Sequence, residues 1–179
     1  MQPRHLLLYL NAIFEKQRKL DRSSYPRIGE EAVKIGIAES EHLLTEEVFS
    51  GYRMLYPSAR AVCEACIPQL PLTFSHSALQ KVFTRRGKKP SGVADFWEFR
   101  RMLIETGIVG RVIDETERYI VGRFEYTEPH KLIVSTEDPL CLHPVFAQVF
   151  HHQENSGKKT IYPYGSDPDG EDHRKWQFD

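Results

Sequence analysis

The stretch Asp95-Phe96-Trp97-Glu98-Phe99-Arg100-Arg101-Met102-Leu103-Ile104-Glu105-Thr106-Gly107 runs through Ile108-Val109-Gly110 into Arg111-Val112-Ile113-Asp114 and then Arg118-Tyr119-Ile120-Val121-Gly122-Arg123-Phe124-Glu125-Tyr126-Thr127. Its first part places Phe96, Trp97, Phe99, Leu103 and Ile104 on one broad helical face, and Gly107 falls where a left-handed C-terminal cap is expected. The second part is β-branched and aromatic, which favours strands, and the polar Asp114–Glu117 between the two runs predicts a hairpin turn. Helix followed by hairpin is the second half of a winged helix. Such domains bind nucleic acid or dock onto other domains.

Upstream, the pattern supplies further helices. Residues 3–20 place Leu6, Leu7, Leu10, Ile13, Phe14 and Leu20 near the helical period, with Pro3 in the first turn, where proline is tolerated. Residues 21–44 are less regular, with Gly29 and Gly36 interrupting the apolar positions. Thr45-Glu46-Glu47 reads as an N-cap with an acidic first turn, starting a helix that Pro57 ends. Ser58 and Ser75 read as caps of two short helices, and Arg85-Arg86-Gly87-Lys88-Lys89-Pro90 as a basic loop. Leu132-Ile133-Val134 offers a third strand, and Pro144 the start of a last helix. The expected fold class is mostly α with a small β-sheet, divided into a helical segment 1–44, a winged helix-turn-helix domain 45–152 and a flexible tail 153–179.

Composition narrows the function classes. A net charge of -1 over 179 residues excludes a surface that is basic throughout. No apolar run approaches the roughly 20 residues of a membrane span, and three cysteines without a secretory leader fit a reduced, cytoplasmic setting. The chain has no phosphate-binding loop: Gly87 to Gly92 has the glycine spacing, but Val93-Ala94 follows where lysine and a hydroxyl are required. Cys63-Glu64-Ala65-Cys66 has half of a zinc spacing with no second pair, and both thiols fit an apolar stripe. No catalytic residue and no metal site is expected. For nucleic acid, the candidate contacts are Arg85, Arg86, Lys88, Lys89, Arg100 and Arg101, because clustered cations displace counterions from a phosphate backbone. Asp95, Glu98 and Glu105 among these arginines, and the acidic turn 114–117, favour a protein-facing surface.

Pro3-Arg4-His5-Leu6-Leu7-Leu8-Tyr9-Leu10-Asn11, Val48-Phe49-Ser50-Gly51-Tyr52-Arg53, Leu103-Ile104-Glu105-Thr106-Gly107-Ile108-Val109-Gly110 and Leu142-His143-Pro144-Val145-Phe146, in that order, resemble the C-terminal lid and winged-helix region of bacterial P-loop ATPases. The resemblance covers about residues 3–150 and implies a module lacking the nucleotide-binding core. It implies that ATP and Mg belong to a core supplied in cis or in trans, and that Arg4 faces the nucleotide phosphates only when that core is present. The chain is then either a piece beginning at the lid or a free-standing remnant. The implied function is regulatory, coupling the ATPase core to a protein or nucleic-acid partner, with a DNA-binding module and a metal- or thiol-dependent enzyme as the alternatives.

Overall fold

A computed structural model of the chain describes residues 3–20, 27–87, 93, 95–127, 132–151 and 159–163. It is mostly helical with a small five-stranded sheet, and it divides into two compact units, Met1–Gly51 and Tyr52–Asp179.

The first unit is a pair of helices, α1 (Pro3–Leu20) and α2 (Glu30–Gly51). The middle of their seam is built from small residues, and Leu44, Thr45 and Phe49 are buried further along α2. Ala32, Gly36 and Ser40 recur every four positions and are buried, and a Cβ on Gly36 would stand 2.7 Å from the backbone of Ile13. The Ser40 hydroxyl donates to the Gly36 carbonyl at 2.7 Å, which keeps a polar side chain satisfied inside the seam. Gln17 accepts from the Gly29 amide at 2.8 Å, tying the end of α1 to the approach to α2, and Lys16 pairs with Glu39 across the helices.

This corrects the expected helix start at Thr45. Thr45 is buried in the middle of a helix that runs unbroken from Glu30 to Gly51, so the break falls after residue 51 rather than at 44. Gly36 looked like an interruption because a glycine costs helix propensity. Here its missing side chain is what lets α1 approach.

The second unit carries the remaining helices and the sheet. After α3 (Ala59–Cys66) and a 3-10 turn (Ile67–Gln69) come β1 (Thr73–Phe74), α4 (His76–Val82) with a π-helical turn (Phe83–Gly87), and α5 (Phe96–Glu105). The hairpin β2 (Val109–Glu115) and β3 (Tyr119–Arg123) follows, then a 3-10 turn (Glu125–Thr127), β4 (Leu140–Leu142), α6 (Pro144–His151) and β5 (Thr160–Tyr162). Ser75 caps α4, its hydroxyl accepting from the Ala78 amide at 3.2 Å, and Gly107 ends α5 at φ 71° as its position predicts. Ser58 precedes α3 without a side-chain capping bond.

The sheet order is β1-β4-β2-β3-β5. β4 lies antiparallel between β1 and β2, and β5 adds parallel to β3. The expected strand at 132–134 does not form: that segment is irregular, Ile133 is 80 % exposed, and the strand lies at 140–142 instead. The expected flexible tail is corrected in part. Ile161 is buried with Ile120, Phe124 and Cys141, and Lys159 pairs with Glu115 at 2.7 Å. The rest of the tail lies outside the described residues. Phe99, Phe124, Ile67, Leu79, Met102 and Leu103 fill the interior. No helix among the described residues is long and apolar enough to cross a membrane.

Candidate functional site

Helix α5 has one face in the core and another along an open groove of about 990 Å³. Phe96, Phe99, Met102 and Leu103 point inward, as the helical period of the sequence requires. Asp95 starts the helix, its Oδ1 accepting from the Glu98 amide at 2.9 Å. Trp97, Arg101, Ile104 and Glu105 then face the groove, and Tyr52 and Leu55 form one side of it. Leu132 and Val134 form the other. Trp97 is 57 % exposed and Leu55 69 % exposed, so large apolar surface stands open to solvent around α5. Sequence periodicity alone assigned Trp97 to the core together with Phe96 and Phe99; it is instead the aromatic at the mouth of the groove.

Two arginines fix the far wall. Arg100 donates through Nη2 to the carbonyls of Val134 (2.7 Å) and Ser135 (3.1 Å), and Arg111 donates to the Ile133 carbonyl at 3.2 Å. Asp138 closes the segment by accepting from the Ser135 amide at 2.7 Å and pairing with Arg111 at 3.8 Å. An irregular segment needs its carbonyls satisfied, and charged donors do this with stronger bonds than neutral ones. Burial lowers the affinity of the Arg100 guanidinium for its proton, an effect Asp138 opposes. Arg100 is thus directed through Nη2 to the protein's own backbone. The 34 residues between Arg100 and Val134 hide this pairing from any reading of local sequence.

On the near wall, Tyr52 donates to the Glu105 carbonyl at 2.9 Å, and the Tyr56 hydroxyl donates to the Glu105 carboxylate. Burial, reinforced by that carboxylate, pushes the Tyr56 phenol up to about 12, so it stays a proton donor throughout the physiological range. Its other neighbour is Arg101. The groove is therefore lined by apolar side chains together with Asp95, Glu98, Glu105 and Glu125, against Arg101 and the committed Arg100.

Of the remaining predicted contacts, Arg85 and Arg86 do not line this groove. Arg85 and Arg86 are exposed on the π-helical turn, while Lys88 and Lys89 lie outside the described residues. Arg4 is in α1, with its side chain outside the described residues. The hairpin turn is also less acidic than expected. Asp114 and Glu115 belong to β2, Glu115 is paired with Lys159, and the turn itself is Thr116 to Arg118, closed by the Thr116 amide donating to the Tyr119 carbonyl at 2.9 Å.

Comparison with family models, with curated proteins and with solved structures returned no match. The groove and its chemistry therefore carry the functional reading on their own, beside the resemblance in the sequence.

The cysteines have the chemistry of packing residues. Cys63, Cys66 and Cys141 are all buried free thiols. Burial pushes Cys66 up to about 11 and Cys141 up to about 12, and raises Cys63 well above the ordinary range, the opposite of what a nucleophilic thiolate needs. His143 is likewise held in a structural chain. Its Nδ1 accepts from the Val145 amide (3.3 Å), leaving Nε2 to donate to the Tyr126 hydroxyl (3.0 Å), which donates to the Pro163 carbonyl (2.9 Å). Among the described residues, no group of three or more His, Cys, Asp and Glu side chains is placed to share a metal ion.

Proposed function

We propose that this chain is a non-catalytic coupling module, an elaborated winged helix that receives a protein partner in the α5 groove and links it to a P-loop ATPase core supplied in cis or in trans. The observation that carries the partner half is the groove's composition. A lining with exposed Trp97 and Leu55 beside Ile104, Leu132 and Val134, and with four carboxylates against Arg101 and the committed Arg100, suits an amphipathic segment with apolar anchors and a basic flank. It does not suit a phosphate backbone, which those carboxylates repel. The ATPase half is supported by the order of sequence motifs, and Arg4 keeps its proposed phosphate-facing role only beside such a core.

An amphipathic peptide of leucine and lysine, titrated into the full chain, tests the partner half. With Trp176 replaced by phenylalanine, Trp97 fluorescence reports directly on the groove. The expected result is a saturable blue shift, with Leu55→Glu or Ile104→Glu weakening affinity by about tenfold or more. Equal affinity for the wild type and both variants contradicts the reading. The ATPase half in its cis form is tested by the reading frame preceding Met1: an in-frame phosphate-binding loop supports it, and a stop codon leaves only a core in trans.

A further inference from the structure

We infer that the α1–α2 hairpin is a homodimerisation element, its apolar face covered by the same face of a second copy of this chain. The first reason lies in the seam. Because Ala32, Gly36 and Ser40 line its middle, the helices come close there, and of the large apolar side chains of α2 it is Leu44 and Phe49 that are buried. Other large side chains are outside: Leu6, Leu7, Leu10 and Phe14 form a stripe along α1, Leu7 being 66 % and Phe14 53 % exposed, and Ile37 and Leu43 of α2 are exposed as well. Leu6, Leu10 and Phe14 recur every four residues, so they share one helix face.

Area and charge select the occupant. The four side chains of the α1 stripe, with one of Ile37 and Leu43, leave roughly 100 Å² each, so covering them on two copies removes on the order of 1,000 Å², the area a specific interface must reach. Charge is divided between the helices. Beyond the Lys16–Glu39 and Glu30–Lys34 pairs within the chain, Pro3–Leu20 holds Arg4, Arg18 and Lys19 against Glu15, whereas Glu30–Gly51 holds Glu31, Glu46 and Glu47. A two-fold pairing that sets α1 of each copy against α2 of the other joins opposite charges at both places at once, as an isologous interface requires.

Sedimentation equilibrium on the full chain tests this. The expected mass at tens of micromolar is twice the 20.8 kDa of one chain, falling toward one as salt is raised. Leu10→Glu combined with Phe14→Glu is expected to abolish the dimer. The milder Phe14→Ala is expected to raise the dissociation constant by about tenfold with unchanged helical circular dichroism, which separates lost association from lost folding. Leu55→Glu, which lies in the groove, is expected to leave the dimer intact, so failure of the groove reading and failure of this one remain distinguishable. A wild-type chain that stays monomeric, or a dimer indifferent to residue 14, overturns the inference and leaves the face to an ATPase core or another partner.

Discussion

In the α1–α2 hairpin Ala32, Gly36, Ser40, Leu44 and Phe49 of α2 are buried, while Leu6, Leu10 and Phe14 of α1 stay outside; in residues 52–163 Phe99, Phe124 and Met102 are enclosed, and Leu55 and Trp97 stand exposed along the α5 groove. The apolar stripe of α1 thus lies outside its unit, whereas the second unit has a core of large side chains. A core of large residues stabilises its unit by itself, because each buried aromatic or leucine removes apolar area from water. A seam with small residues at its middle brings backbones together but leaves the α1 stripe unburied, so the hairpin depends on a further layer.

The contrast breaks most visibly at two phenylalanines. Phe124→Ala is expected to destabilise the sheet unit by about 3 to 5 kcal/mol, since the ring is fully buried against Tyr126 and His143, and chemical denaturation measures this. Phe14→Ala is expected to change the stability of a single chain by less than about 0.5 kcal/mol at concentrations below dimerisation. Equal losses at both positions would erase the distinction between the regions.

Gly36→Val comes next. Its Cβ would meet the Ile13 backbone at 2.7 Å, where no flexible side chain can yield. The expected cost is about 1 to 3 kcal/mol, read as fast amide exchange in α1 and α2 with β2 and β3 still protected. Loss of protection in both regions together would mean that they do not fold as separate units.

Arginines 100 and 101 offer a comparison inside one helix. Arg100→Ala leaves the Val134 and Ser135 carbonyls without their charged donor and is expected to cost about 1 to 3 kcal/mol, with faster exchange through residues 132–138. Arg101→Ala is expected to stay within about 0.5 kcal/mol. Equal effects would remove the clamp from the account.

The smallest effect is one of pH. Burial pushes the Glu41 carboxyl from the ordinary 4.5 up to about 7, so the folded state holds this proton more tightly than the unfolded chain does. Between those two values the folded state binds more protons, and stability falls as pH rises through the window. The contribution is complete below about 4.5 and lost above about 7. Glu41→Gln is expected to flatten that slope in a pH series of thermal melts.

What local sequence conveyed depended on whether the cause was local. Ser75 and Gly107 act within a few residues and were legible, as were α1, α5 and the hairpin. Thr45 misled because Thr-Glu-Glu is also an acceptable helix interior, and only the approach of Ile13 explains why Gly36 does not break α2. Strand β4 was displaced from 132–134 to 140–142 because Arg100 and Arg111 take up the carbonyls of the earlier segment. The candidate site was legible as a mixed-charge helix. Its apolar wall, contributed by Leu55 and by Leu132 and Val134, comes from positions separated from α5 by about 30 to 40 residues, which no short pattern connects.

The most direct test of the central claim, that the α5 groove takes protein rather than nucleic acid, is a comparison of two fluorescent ligands on the same full-length chain in low salt. The leucine–lysine amphipathic peptide and a random-sequence DNA duplex are titrated in parallel and followed by anisotropy. The account predicts saturable peptide binding that Leu55→Glu weakens, and no retention of the duplex. Tight, salt-sensitive duplex binding that is lost when Arg85, Arg86, Lys88 and Lys89 are neutralised, together with no binding of the peptide, would contradict it.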